Sequence, residues 1–263
     1  SYYVTNRMSN PYRERNREKV EDQFSNFQLN FDRKFGKHAV VAVAGFEASQ
    51  RKRSKMWIHS TPVSNAMDLI RLKEIQEFND DGNRTEARMG YLGRINYSYA
   101  DKYLIELIAR WDGSWKFRPD NRWGFFPSAS LGWRISEENF WKESKLGEIV
   151  TNFKLRGSYG EVGDDAVSDY SAFDYLPGYN YNSGGAVIDG NWVVGTSTRG
   201  LPNQTLSWMT AKILDIGVDL GFLNNRLNVQ FDYFRRVRDG IPEARYDVLI
   251  PNEAGFSLPK ENL

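Results

Sequence analysis

Residues 89–136 read MGYLGRINYSYADKYLIELIARWDGSWKFRPDNRWGFFPSASLGWRIS, and apolar and polar side chains alternate along most of this stretch. From 89 to 99 the odd positions are mostly apolar or aromatic, whereas the even positions include Arg94, Asn96 and Ser98. Alternation over this length predicts β-strands with two unlike faces. The stretch therefore predicts three strands, and their length and terminal aromatic residues are typical of an antiparallel transmembrane β-barrel wall.

The charged residues on the polar face of this stretch, assigned by parity, include Arg94, Glu106 and Arg110. The polar face of a barrel wall lines the lumen, so we expect all three to point inward. Glu106 beside two arginines indicates a structural ion pair, whereas a glycosidase needs an acid–base pair of carboxyl groups flanking a sugar. The chain is therefore not expected to be an enzyme, and no catalytic residue is predicted.

The same alternation recurs along the chain and predicts an all-β fold of about eight strands. The predicted strands are 22–35, 38–50, 89–99, 103–112, 123–135, 152–163, 205–220 and 226–238. The last two are expected to form a hairpin around Gly221–Asn225, with Leu214–Leu220 opposite Leu227–Tyr233. Strands of ten or more residues exceed the usual soluble strand of about five or six, which argues against a β-sandwich or jelly roll.

The predicted connections alternate between short and long, as in outer-membrane barrels with short periplasmic turns and long extracellular loops. The short or helical connections are 36–37, 101–102, 136–151 and 221–225, and the long ones are 51–87, 113–122, 164–204 and 239–263. Apolar spacing indicates a possible helix at Asn65–Phe78, and Ser136 is the predicted cap of a short helix. The connection 164–204, rich in Gly, Tyr, Asn and Asp, is expected to be irregular.

The composition excludes several classes of protein. No run of 18 apolar residues exists among the 263, so no transmembrane helix is predicted. A net charge of +1 does not favour nucleic acid, and the absence of Cys excludes disulfides and thiolate chemistry. The first residues lack the apolar core of a signal peptide, so either the chain is cytoplasmic or its start has been lost, and we expect both ends to be cut.

Short motifs follow one another between residues 91 and 227 in an order that, taken together, is specific. They are YLGRINYSY (91–99), DKYL (101–104), RWDGS (110–114), NRWGFFPS (121–128), GWRISEE (132–138), KLRGSYG (154–160), LPN (201–203) with Trp208, and GFLNNRL (221–227). In these motifs the chain resembles the SusC/RagA-type TonB-linked outer-membrane transporters of Bacteroidetes.

That resemblance implies a 22-stranded barrel in the outer membrane with a plug domain inside it. It also implies a SusD-like surface lipoprotein as a lid, and a TonB box that couples nutrient import to the inner membrane. The imported cargo would be an oligosaccharide or a peptide. Residues 1–263 would be part of the single barrel domain, surrounded by outer-membrane lipid, with the plug and TonB box not in this sequence.

Aromatic residues in the predicted extracellular loops are candidates for gripping sugar rings or peptide side chains. The candidates are Trp115, Tyr179, Tyr181 and Trp192, with Asp189 as a nearby hydrogen-bonding group. Alternatively, these aromatic residues pack their own loops or contact the lid. No cofactor is expected, and because His38 and His59 are far apart in sequence no metal site is predicted.

A second hypothesis treats the chain as a self-contained outer-membrane barrel with a structural or adhesive role, since about eight strands can close a small barrel. The pairing of strands 22–35 and 226–238 distinguishes the two hypotheses. If these strands pair, the barrel is closed; if they do not, the chain is a section of a larger wall.

Overall fold

The computed structural model describes residues 13–61, 70, 75–165, 173–245, 247–251 and 258–262. The eight long strands are β1 (Arg13–Phe35), β2 (His38–Ser60), β3 (Ile75–Tyr99), β4 (Tyr103–Ser114), β5 (Trp123–Arg134), β6 (Val150–Asp164), β9 (Met209–Phe222) and β10 (Leu227–Asp239). The other strands are β7 (Tyr179–Ile188), β8 (Asn191–Thr198), β11 (Pro242–Glu243) and β12 (Glu261–Asn262). Helices α1 (Asn139–Lys142) and α2 (Lys145–Ile149) follow β5.

The eight long strands form one sheet in the order β1-β2-β3-β4-β5-β6-β9-β10. From β3 onward every neighbouring pair in this sheet is antiparallel. Within the described residues β1 and β10 are the two ends of the sheet and do not pair with each other. The sheet is therefore an open wall, which argues against the hypothesis of a self-contained small barrel.

The face predicted to meet lipid is apolar and exposed, and it carries two rows of aromatic residues. We call them the first girdle (Phe46, Tyr91, Trp111 and Trp123) and the second girdle (Tyr99, Tyr103 and Trp133). Within them, ring centroids lie 4.9 Å apart for Trp111 and Trp123 and 6.4 Å apart for Tyr103 and Trp133.

The spacing of the two girdles matches a membrane. Tyr91 and Tyr99 lie on one strand, eight residues apart, which is roughly 26 Å at about 3.3 Å per residue. With a strand tilt of about 40° this becomes about 20 Å of height, close to the apolar band of roughly 25 Å on outer-membrane barrels. Exposed Ile95 and Leu107 lie between the girdles.

The chain divides into two compact units, one of Ser1–Ser25 with Ala48–Ala87 and one of Asn26–Glu47 with Arg88–Leu263. In the first unit ion pairs link the strands: Arg51 Nε lies 2.7 Å from Asp22 Oδ1, and Arg53 Nε lies 2.8 Å from Glu18 Oε1. The second unit contains all the elements from β4 onward, and the two girdles. None of the described helices is both long and apolar enough to span a bilayer.

The predicted connection 51–87 is shorter than expected because the strands on both sides of it, β2 and β3, are longer. Residues 51–60 belong to β2 and residues 75–87 to β3, so the predicted loop 51–87 is wrong over those ranges. The predicted helix Asn65–Phe78 is strand over 75–78; of its other residues the structure describes Ile70 alone, in neither helix nor strand. Residues 13–20, which precede the first predicted strand, are the start of β1.

Three smaller predictions are also corrected. The stretch 164–204 contains the hairpin β7–β8, and the predicted cap Ser136 lies in a 3₁₀ turn, whereas Ser144 caps α2 by accepting from the Gly147 amide. In the β9–β10 hairpin the faces are as predicted but the register is shifted, because β9 extends to Phe222. Leu220 consequently pairs with Val229, and Leu227 pairs with Phe222.

Candidate functional site

The polar face of the sheet carries ion pairs between neighbouring strands. Arg94 Nε donates to Glu106 Oε2 at 2.7 Å, as the sequence predicted for this pair. Arg110 lies on the same face, but its guanidinium contacts Asp112 Oδ1 at 2.9 Å and Glu47 Oε2 at 3.1 Å. Of the two arginines beside Glu106, Arg94 therefore forms the ion pair. Arg110 instead contacts Glu47, which lies on β2 and is distant from it in sequence.

A denser cluster of charged residues, which was not predicted from the sequence, surrounds Arg156 on β6. Its guanidinium lies 3.3 Å from Asp215, 3.2 Å from Asp219 and 2.5 Å from Asp232. Gly217 makes this possible, since a Cβ there would lie 2.6 Å from Arg156 Cζ. One arginine thus holds three carboxylates, and the cluster ties β6, β9 and β10 together.

A depression of about 540 Å³ opens on the polar face between these charged groups. Small and polar side chains line much of it, including Asn96, Ser130, Gly132 and Ser158. Glu106 and Arg156 also contribute to its lining. The small residues leave room above the sheet, and apolar Val41 and Leu104 also line the depression.

At one end of the sheet, where β4, β6 and β10 end and β5 and β9 begin, the connections pack into a small core that we call the cap. Phe117 and Leu206 are its most buried large side chains, at 1% and 2% exposed. Trp208 lies against Phe117 at 5.4 Å and against Phe126 at 5.3 Å between ring centroids, and its Nε1 donates to the Arg122 carbonyl at 2.9 Å. Gly124 and Gly163 leave the space that the Phe126 ring fills.

Buried Asn203 and half-buried Asn262 hold the backbone of the cap. Asn203 Nδ2 donates to the Lys260 carbonyl, and its Oδ1 accepts from the Thr205 amide at 3.2 Å. Asn262 Nδ2 donates to the carbonyls of Ser207 and Gly240 at 3.0 and 2.7 Å. Several motifs that carried the sequence resemblance, namely NRWGFFPS (121–128), LPN (201–203) and Trp208, therefore meet in one place, and their common role is to pack the cap.

Trp115, predicted to bind substrate, lies in the connection between β4 and β5 and is 8% exposed. Its ring packs edge-on against Phe173 with centroids 5.6 Å apart. Phe173 lies in the connection between β6 and β7, so this contact joins two loops and favours the packing alternative for Trp115.

The structure brings the other predicted residues together on the β7–β8 hairpin. Tyr179, Tyr181 and Trp192 are 64%, 82% and 64% exposed. Tyr179 pairs with Thr198 and Tyr181 with Thr196, so by strand parity both tyrosines share a face with Trp192. Asp189 occupies the turn with a φ of 51°, directly after β7 ends at Ile188. The hairpin thus presents a neutral, aromatic face.

No group of three or more His, Asp or Glu side chains is placed to hold a metal ion in the part of the chain that the structure describes.

Comparison with known proteins gives concordant results. The family model described as TonB dependent receptor-like, beta-barrel matches residues 1–258. TonB-dependent receptor P39 of Formosa agariphila is 34% identical over 262 residues, covering 94% of this chain and 23% of that protein. TonB-dependent receptor SusC of Bacteroides thetaiotaomicron is 40% identical over 162 residues, covering 61% of this chain and 16% of that protein.

Among solved structures, the RagAB peptide transporter superimposes with a TM-score of 0.74 and 22% identity, covering 97% of this chain and 27% of that one. The same transporter in its 'open-open' state gives 0.74 over 98% of this chain. These likenesses establish the fold. The chain spans about a quarter, or less, of the length of the relatives that it matches.

Proposed function

Because this chain belongs to the TonB-dependent receptor-like β-barrel family, we propose that it is part of the barrel wall of an importer in a bacterial outer membrane. The observation that carries the proposal is the two-faced sheet. Its outer face has an apolar band between two aromatic girdles, and its inner face carries ion pairs around a depression of about 540 Å³. Such a wall separates lipid from an aqueous lumen.

The proposed activity is active import of a nutrient too large for passive pores, either an oligosaccharide or a peptide. Cargo would bind in the lumen, and a plug domain would then move when TonB pulls on it. In this proposal the plug and the TonB box are supplied by parts of the receptor other than residues 1–263. The lumen-facing charges Arg94, Glu106 and Arg110 would keep the wall hydrated along this path. No chemical step is proposed, and none of these residues is assigned a catalytic role.

The proposed partner at the cell surface is a SusD-like lipoprotein that closes over the barrel. We place cargo or lid contacts on the β7–β8 hairpin, at Tyr179, Tyr181, Asp189 and Trp192, because these residues are exposed and belong to one hairpin. Aromatic side chains with a polar tip suit such contacts, since they bury a large area and still hydrogen-bond at the rim.

The import activity can be tested in the source bacterium with the full-length gene. We expect a deletion strain to lose growth on one class of nutrient, either an oligosaccharide or a peptide mixture, and to recover when the gene is restored. Removal of TonB or collapse of the proton gradient should abolish uptake as completely as the deletion. Uptake that persists without TonB would refute active import.

The lid can be tested by purifying the tagged full-length receptor from outer membranes in a mild detergent. We expect one surface lipoprotein to co-purify in a near-equimolar amount. A receptor that purifies without any lipoprotein would refute this part of the proposal.

A further inference from the structure

The β7–β8 hairpin is a separate two-stranded sheet, and in the described part of the chain neither strand pairs with a third. An edge strand presents a row of backbone N–H and C=O groups that can template another strand. An isolated two-stranded hairpin is also marginally stable in water, so an added strand would stabilise it.

β8 lacks the features with which proteins usually protect such an edge. Its sequence, NWVVGTST, contains no proline and no charged residue. The register irregularity of the hairpin lies in β7, between Tyr181 and Gly185, which leaves β8 as the regular strand. Charged residues, proline and bulges are the common protections of edge strands. Among the described residues β8 therefore has a free edge that another strand can pair with.

The side chains of β8 are arranged for an extended ligand. Trp192 and Val194 point to one face and Val193 to the other, and all three are about half exposed or more. Trp192 leans across the hairpin over Gly185, where a Cβ would lie 2.6 Å from its ring. A strand paired with β8 would thus find apolar contacts on both faces, at alternate positions.

This chemistry distinguishes a peptide from a sugar. A sugar site needs planar polar side chains beside its aromatic platform, whereas β8 offers Trp192, Val194 and threonine hydroxyl groups on that face. The valines of β8 suit apolar side chains, and a free backbone edge is complementary to another backbone. We infer that β8 binds an extended peptide cargo as an added β-strand, with apolar side chains at alternate positions. The inference rests on the proposed function, since it assigns the class of cargo.

The size of the edge favours cargo over a permanent partner. Eight residues at about 3.3 Å each offer an edge of roughly 26 Å. A stable protein interface buries about 800 Å² on each partner, contributed by about 20–30 residues, which is more than one strand edge supplies. Pairing through the backbone also tolerates many sequences, as an importer of mixed peptides requires.

The test uses the full-length receptor in detergent and a labelled heptapeptide of alternating threonine and valine with blocked ends. Fluorescence anisotropy should show saturable binding. The same peptide with N-methyl groups on alternate amides keeps its side chains but loses its donors, and we expect it to bind at least about tenfold more weakly. Equal binding of the methylated peptide, or competition by maltoheptaose, would overturn the inference.

Two matched variants locate the site. Val194→Lys on β8 and Val187→Lys on β7 place the same charge on the same face, at side chains that are 52% and 66% exposed. We expect V194K to weaken peptide binding at least about tenfold and V187K less than about threefold, because only β8 adjoins the added strand. If V194K instead reduces the co-purified lipoprotein or changes the oligomeric state while peptide binding is unchanged, β8 is a docking surface for that partner.

Uptake measured on the same strains separates the two proposals. Wild-type receptor without TonB-dependent uptake would refute the proposed function. If wild-type uptake is intact and the V194K variant binds and imports the peptide as well as the wild type does, only the assignment of β8 is refuted.

Discussion

Glu138 receives hydrogen bonds from three donors on neighbouring strands and turns at the end of the sheet opposite the cap. Lys102 Nζ donates to its Oε2 at 2.9 Å, and Tyr103 Oη and Trp133 Nε1 donate to its Oε1 at 2.8 and 3.3 Å. These bonds, with that of Lys102 first, lower the pKa of Glu138 from about 4.5 to about 2. Glu138 is the last residue of the motif GWRISEE, and its hydrogen bonds fix the side chains of Tyr103 and Trp133 in the second girdle.

Glu138→Gln should lower the thermal unfolding midpoint of the full-length receptor at pH 7 by a few degrees. The folded-state pKa is depressed, so the stabilisation is fully present above about pH 4.5 and is lost as the pH falls towards about 2. The difference between wild type and E138Q should therefore narrow over that range. Thermal scans in detergent at pH 7, 5 and 3 measure it.

Glu143→Gln is the matched control, because Glu143 is exposed on the same connection and has no ion pair within the described residues. E143Q should behave as wild type at every pH. The stabilising role of Glu138 would be contradicted if E138Q unfolded at the same temperature as wild type at pH 7. It would also be contradicted if the difference between their unfolding midpoints widened at lower pH.

At the scale of the element, each strand of the wall has a lipid side and a water side, which are one residue apart. Leu107 lies on the outer face of β4 between the girdles and is half exposed. Ile108, the next residue, lines a recess on the inner face with Ser128 and Ser158. Both are apolar, so hydropathy alone cannot distinguish them, whereas strand parity can.

Leu107→Arg should destabilise the receptor in a bilayer by about 2–4 kcal/mol, because it places a charge near the bilayer midplane. Ile108→Arg is the control, and its charge meets water and serines, so we expect an effect several times smaller. Urea unfolding in lipid vesicles measures both. Equal losses, or a larger loss for I108R, would contradict the assigned faces of β4.

At the scale of the whole molecule, the open sheet means that β1 and β10 need neighbours. Both end strands carry exposed apolar residues on the outer face, including Phe27, Leu29, Phe231 and Tyr233. An exposed strand edge cannot persist within a membrane, because its backbone groups would lack partners. In the assembled receptor these edges should therefore pair with strands outside residues 1–263.

Cysteine pairs test this arrangement cleanly, because the sequence has no native cysteine. Val218 and Phe231 are directly opposed across β9 and β10, at a spacing that suits a disulfide. Val218→Cys with Phe231→Cys should form a disulfide in a full-length receptor free of other cysteines, whereas Leu29→Cys with Phe231→Cys should not. A disulfide between positions 29 and 231 would indicate a closed small barrel.

Local alternation was enough to predict the eight-stranded wall, its two faces and the Arg94–Glu106 pair. This succeeds because lipid and water select side chains at a period of two residues along each strand. The long extensions of β1, β2 and β3 were missed for the same reason. In RERNREKVEDQ at the start of β1 nearly every residue is polar on both faces, so alternation gives no signal and only backbone pairing and ion pairs reveal a strand.

The sequence alone thus establishes the class of fold and the family, since both depend on periodicity and on short ordered motifs. Contacts between distant segments required the folded structure. Glu47 reaches Arg110, three aspartates surround Arg156, and Trp115 is buried in the cap while Trp192 remains exposed. These outcomes depend on which strands are neighbours and on how the connections pack at one end. Both are non-local properties, and a pattern read along a single strand does not contain them.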